Sequence, residues 1–412
     1  MNYPNFNLLR ASMPWVVFSM VLIGLPAIFT SNSSIIILTQ MAITIIFALS
    51  YNMLLGQAGM LSFGHAVYMG VGGFAAVHVM NGALGGAVLL PVLPLFGGLF
   101  SLGIATVIGG FSTRRGGTSF AMISLGVVEL IASFSIIIIA FFRSGGMLWD
   151  RTSGPKVLGL EFAQHIEVYY LVAAWLIVSV AAMYLFTRTP MGRLANAVRD
   201  NPERVEFVGY SARWVRFYSF CAAGFFAGVA GALSAIAFEI ASAENLTVQA
   251  SGTILLVTFL GGVGFYYGPI VGAVVFTLLQ TVLSQQTELW ELYVGALFVA
   301  TVMFFPSGLA GVLVMHALPF RLGKMGGLIG PYLRVLVPAI IGVMGCVGFA
   351  EMFNHARKAV VGETHMDLFG IGFDALGVMP WVVTICVAIL GIGIAKWQAP
   401  ALRTAWDDAT II

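Results

Sequence analysis

Few residues in this 412-residue chain could do chemistry, and they lie far apart. Glu129 stands near the middle of an apolar run, 118–142, that holds no basic residue to neutralise it. An ionised carboxylate there is costly in hydrocarbon, so it should face the interior of a bundle or water. Two roles fit: a pathway or gating residue, or a protonated or capping glutamate that hydrogen-bonds a broken neighbouring helix. Ser62 and His65 are a near pair of hydroxyl and imidazole, but no carboxylate completes a local nucleophilic signature around them. His65 makes either a structural hydrogen bond or a substrate contact, and His78 reads as an interfacial residue. Glu351 and His355 have helical i, i+4 spacing, with His365 and Asp367 downstream. That is no compact metal-ligand pattern, so no metal is implied. A phosphate-binding G-x-x-x-x-G-K-[ST] loop is absent from the sequence, since the pair Gly323–Lys324 is followed by Met325.

The elements that must carry these residues are membrane helices. The chain is 59% hydrophobic and 9% charged, and runs such as 13–29, 34–55, 83–111, 118–142, 168–186, 217–238, 289–313, 332–350 and 379–395 mostly suffice to cross a bilayer. The strands of a membrane barrel would alternate polar and apolar residues, which these runs do not. The first run follows a single basic residue, Arg10, and no A-x-A site comes after it, so it reads as a retained helix rather than a cleaved signal. Cys221, Cys346 and Cys386 lie inside apolar runs and imply no disulfide framework. Basic residues are scattered over loops, and a net charge of +2 points to no nucleic acid.

Placing residues 1–12, 112–117, 187–216, 314–334 and 396–412 on one side collects most of the 19 Lys and Arg. Arg143, Arg151, Lys156, Arg357 and Lys358 remain for the other side. By the positive-inside rule the first set is cytoplasmic, including the amino terminus. Parity then needs a crossing in 64–80, which is weak: it is glycine-rich and holds His65 and His78. A second weak run, 259–276, is interrupted by Pro269 and five glycines. Two glycine-broken segments in comparable places within two halves point to a transport path, while close helix packing by small residues is the plainer alternative.

The most basic loop contains "RTPMGRLANAVRDNPERVEFVGY", residues 188–210, with four arginines and three acids. Thr189–Pro190 is an N-cap followed by the best first helical residue, and Met191, Leu194, Ala195 and Val198 form an apolar stripe. Asn201–Pro202 repeats the start signal, Glu203 suits the first turn, and Gly209 offers a left-handed C-terminal position for a helix over about 202–208. Two short helices at nearly a right angle make a rigid knob suited to a groove on a partner. The alternative is a pair of helices lying on the bilayer surface, against which Asp200, Glu203 and Glu206 would repel anionic headgroups.

Four blocks, in order, resemble the LivM-type permease subunits of branched-chain amino acid ABC importers. They are "GQAGMLSFGHAVYMGVGGFAA" at 56–76, "TRRGGTSFAMISLGVVELI" at 113–131, "GRLANAVRDNPERVEFVGY" at 192–210, and "LGGVGFYYGPIVGA" followed by "FFPSGLAGVL". The resemblance covers about residues 30–314. It implies an all-α polytopic transmembrane bundle with about ten core helices, some broken or re-entrant. The permease core is 1–314, with a coupling loop at 187–216. An extension, 315–412, departs from the family pattern and adds two helices, which should pack at the periphery through Gly342, Gly345, Gly348, Gly391 and Gly393.

The resemblance further implies coupling to an ATPase through Gly192, Arg193, Arg199, Pro202, Glu203, Glu206 and Gly209. It implies a translocation path past Gly56, Gln57, Gly59, Ser62, Phe63, Gly64, His65, Glu129, Gly261, Gly262, Gly264 and Gly268. Partners would be two ATPase subunits holding ATP and Mg, a second related permease and a periplasmic solute-binding protein. The chain itself would carry no cofactor and would not be an enzyme. It would sit in a bacterial inner membrane and move a branched-chain or other small apolar amino acid inward. A urea or short-amide permease of the same family is one alternative. A secondary transporter or channel without ATPases is another, and the capped knob argues against it.

Overall fold

In hydrocarbon every backbone N–H and C=O must find a partner within its own segment, so long apolar runs fold as helices. The computed structural model describes residues 4–82, 88–138, 142, 146–155, 159, 161–358, 365–368, 371–374 and 377–410. Among these, the α-helices in chain order are α1 (Pro4–Ile28), α2 (Asn32–Asn52), α3 (Ala66–Asn81), α4 (Leu93–Ser112), α5 (Thr118–Ile137), α6 (His165–Arg188), α7 (Pro190–Asp200) and α8 (Pro202–Phe207). They continue as α9 (Ala212–Phe238), α10 (Val248–Gly261), α11 (Gly268–Gln286), α12 (Trp290–Phe304), α13 (Gly308–Arg321), α14 (Met325–Lys358) and α15 (Val378–Thr410). Among the described residues, eight spans are long and apolar enough to cross a membrane, or nine if the broken pair α12 and α13 counts as one. The protein is an all-α polytopic bundle. Among the described residues, strand structure is confined to two short antiparallel pairs: Met147–Leu148 (β1) with Ile240–Ala241 (β2), and His365–Leu368 (β3) with Ile371–Asp374 (β4).

The chain divides into two compact units, Met1–Gly311 and Val312–Ile412. In the first, α9 is the central helix and the most deeply buried of the spans. It is lined with small residues, and those set how closely its neighbours approach. Gly72 and Gly73 of α3 lie on Gly228 and Gly231 of α9, and Gly97 of α4 packs on Ala232. The Ser101 hydroxyl of α4 donates to the Tyr68 carbonyl of α3 at 2.6 Å. Lipid tails are as apolar as leucine, so close van der Waals contact and such hydrogen bonds hold membrane helices together. The far end of α9 is pinned by Arg151. This side chain is 8% exposed, donates to the Ala237 and Ala163 carbonyls at 3.2 Å, and lies 3.6 Å from Glu239.

In the second unit α14 and α15 form a helical hairpin. Gly342 meets Gly391 and Ile392, and Gly345 meets Ala388 and Thr384, whereas Gly393 has open space. His316 is held by the Val312 carbonyl at 2.7 Å and the Tyr332 hydroxyl at 2.9 Å, with Trp406 edge-on at 5.1 Å.

Three apolar runs differ from their reading as single helices. In run 83–111 a short 3-10 turn at Leu90–Val92, which contains Pro91, precedes the α-helix that starts at Leu93. Run 118–142 leaves the helix at Ile138, whose φ of −86° and ψ of 68° are not helical. Run 289–313 breaks at residues 305–307, because Pro306 bars the helical conformation for Phe305, which takes ψ 70°.

Candidate functional site

The site begins where α2 stops. Its last turn widens into a π turn, Met53–Gln57, and residues 58–65 then run without helix until α3 starts at Ala66. Backbone groups that a helix would satisfy are met here by side chains from other elements. The Ser124 hydroxyl of α5 accepts from Phe63 N at 2.9 Å, and the Ser251 hydroxyl of α10 accepts from Ala66 N at 3.0 Å. Tyr51 donates to the Ser62 carbonyl at 2.9 Å, and the Ser62 hydroxyl accepts from Gly64 N at 3.3 Å. Gly64 lets this stretch lie against the Ser124 carbonyl of α5. His65 is wholly buried, bonded through Nε2 to the Ser50 hydroxyl at 2.9 Å and stacked on Phe47 at 5.6 Å.

The second break, residues 262–267, separates α10 from α11. Gly261 and Gly268 lie against each other, Gly262 lies against the Ser307 carbonyl, and Gly264 faces open space. Tyr266 donates to the Val180 carbonyl of α6 at 2.6 Å. The two breaks touch. Asn52 Nδ2 donates to the Phe265 carbonyl at 3.4 Å, and a Cβ on Gly56 would lie 2.6 Å from the Val263 carbonyl oxygen. Gln57 Oε1 and Asn52 Oδ1 are buried in this knot without a hydrogen-bond partner among the described residues.

Between the first part of α10, α11 and the start of α12 opens a cavity of about 960 Å³. Phe63 lines it together with Glu244, Gln249, Thr253, Gln280, Trp290 and Glu291. Val248, Leu255, Leu256, Phe276 and Val294 supply apolar wall. The combination of mostly apolar surface with a few amides, a hydroxyl and carboxylates suits a small solute that is part apolar and part polar.

The knob is built as its capping residues dictate. Thr189 Oγ1 accepts from Gly192 N at 3.2 Å, and Asn201 Oδ1 accepts from Arg204 N at 3.0 Å. Gly192, Ala195 and Val198 are buried, with Gly192 against the backbone of Phe186 and Thr187. Gly209 has φ +91°, and α8 ends with Gly209 N bonded to the Glu206 carbonyl and Tyr210 N to the Val205 carbonyl. A left-handed residue in that position favours glycine. Arg193, Glu203 and Glu206 point into solvent and Pro202 is half-buried. Phe207 is 90% exposed, and Val208 and Tyr210 are also exposed. An aromatic left bare on a rigid, capped turn is the pattern of a docking surface.

A family described as the branched-chain amino acid transport system permease component matches residues 33–303. The chain belongs to that permease family. Among curated proteins it is similar to the high-affinity branched-chain amino acid transport system permease protein LivM of Escherichia coli (strain K12), 26% identical over 68% of this chain and 70% of that protein. It is also similar to the LivM protein of Salmonella typhimurium, 27% identical over the same shares. No solved structure gives a significant match.

The permease's remaining site candidate, Glu129, lies away from the cavity. It is exposed on α5 in an unbroken row with Ser119, Met122, Gly126 and Ser133, all exposed and spaced alternately by three and four residues. A mid-helix carboxylate on such an exposed row needs water or another helix against it. Glu129→Leu is expected to lower solute uptake by about tenfold and Glu129→Gln by less, because glutamine keeps shape and hydrogen bonding while losing the charge. Uptake in vesicles holding the complete transport system measures both, and normal rates in both variants would make Glu129 a bystander.

Sequence reasoning missed Phe207 and Val208, which lie off the buried stripe of the knob. It also missed Gln249, Thr253 and Gln280, although polar residues inside apolar helices were a visible signal.

Proposed function

We propose that this permease is the transmembrane subunit of an ATP-binding-cassette importer for branched-chain or other small apolar amino acids, coupled to separate ATPases through residues 190–209. The capped knob with Phe207 bare at its tip carries the reading, since a channel or secondary carrier has no use for a rigid cytoplasmic dock. The sequence contains no phosphate loop, so ATP and Mg would be bound by two partner ATPases seated on the knob. A second related permease would cover the α5 stripe, and a periplasmic binding protein would deliver solute to the cavity from the opposite end. The excess of arginine around α7 and α8 supports a cytoplasmic knob and amino terminus, in a bacterial inner membrane. The substrate assignment follows the named activity of the LivM relatives. The cavity supports it, with apolar walls for a branched side chain and polar groups for the ends of a zwitterion.

Reconstitution into vesicles tests the proposal. The two permeases, the ATPases and the binding protein should accumulate labelled leucine when ATP is supplied on the knob side. Omitting the ATPases should leave flux at background. Substantial flux through the permeases alone would favour a channel or carrier instead.

A further inference from the structure

Arg199, the penultimate residue of α7, is partly exposed, with 38% of its side chain accessible, yet it also hydrogen-bonds to a transmembrane segment. Its Nε and Nη2 both reach Asp200 Oδ1 at 3.0 Å, which sets the plane of the guanidinium. Nη1 is thereby directed at α2 and donates to the Gly56 carbonyl in the π turn. Carbonyls at a helix C-terminus lack intrahelical donors and carry the negative end of the helix dipole, so a guanidinium there makes a charge-assisted bond. Beneath it, Gly59 has φ +67°, and a Cβ at that position would stand 2.7 Å from Arg199 Cγ and 3.3 Å from its Cα. The first broken segment thus lies directly under the arginine stem, in a conformation that L side chains rarely adopt.

The contact leads further. Gly56 abuts the Val263 carbonyl, and Asn52, one turn earlier on α2, donates to the Phe265 carbonyl. Phe63, on the same irregular segment as Gly59, lines the cavity. One side chain therefore joins the knob to the first break, which touches the second break and carries Phe63 of the cavity wall.

We infer that Arg199 is a strut that transmits displacement of the knob to the two broken segments, and that Asp200 holds it in line. This rests on the proposed function. It assigns Arg199 an internal positioning role instead of a contact with the ATPase, for which exposed Arg193, Arg204 and Phe207 remain.

The test compares wild type, Arg199→Ala, Arg199→Lys and Asp200→Asn in the fully assembled transporter, reading leucine moved per ATP hydrolysed in the same vesicles. Arg199→Ala is expected to lower this ratio about tenfold, within the usual range for coupling between sites. Asp200→Asn should lower it less, and Arg199→Lys should fall between, because an ammonium keeps the charge but cannot hold Asp200 and Gly56 together as a planar fork does. A residue that only stabilises the fold would reduce yield or melting temperature and leave the ratio of assembled complexes unchanged. A wild-type ratio in every variant that assembles would overturn the inference, as would failure of all three to assemble. Absence of ATP-driven uptake in wild type would instead overturn the proposed function, so the two failures are distinct.

Discussion

Gly231→Leu is expected to abolish recovery of folded permease, and Gly231→Ala to lower its melting temperature strongly. A Cβ at position 231 runs into the Met69 carbonyl oxygen of α3 and stands 3.0 Å from Gly73 N. Those are backbone atoms of a helix that is itself pressed on α4, so no rotamer change relieves the clash and α3 must move away from α9. Overpacking in a tight core costs about 1–3 kcal/mol for small insertions, and more where backbone has to shift. The loss is compounded because membrane helices associate through close packing without a hydrophobic drive between them. Gly103→Ala is the control. It sits on α4 with nothing within 4 Å of its notional Cβ, so melting should be unchanged. Thermal unfolding followed by size-exclusion chromatography in detergent reads all three. A Gly231→Ala protein as stable as Gly103→Ala would mean that α3 and α9 are not in backbone contact.

Phe207→Ala is expected to weaken ATPase binding by about 2–4 kcal/mol, the cost of truncating a hot-spot aromatic at the centre of an interface. That is a loss of roughly thirtyfold to a thousandfold in affinity. Phe207→Asp should remove copurification entirely, since it places a charge where the groove must be apolar. Neither change touches the inside of the knob, where Gly192, Ala195, Val198 and Val205 are buried, so insertion and folding should persist. Titrating purified ATPases onto immobilised permease measures the affinity. Unchanged binding by Phe207→Asp would show that α8 is not the docking surface.

What the sequence determined by itself was set by short-range chemistry. Length and apolarity dictated helices, because no other backbone survives in hydrocarbon. The caps of the knob were legible because Thr189–Pro190, Asn201–Pro202 and Gly209 each constrain one or two dihedral angles locally. The glycine-rich weakness of 259–276 marked the second break, whereas 64–80 was misplaced as one, since α3 runs unbroken over Ala66–Asn81 and the first break lies before it at 58–65. The logic of the second break applied to Pro306 would have marked a third. Tertiary structure alone decided what meets what. Nothing local to Asn52, Gly56, Val263 or Phe265 says that the two breaks form one knot, since that follows from how α2, α10 and α11 pack. The inward turn of Arg199 depended on a carbonyl left free by a π turn far away in sequence. Glu129 could be placed in the membrane from its run alone, but its exposed face on α5 was fixed by which other residues of that helix, Ser124 and Val128 among them, were claimed by the bundle. Local dihedral preferences are written residue by residue, whereas contacts between distant segments arise only when all the small and large side chains are packed at once.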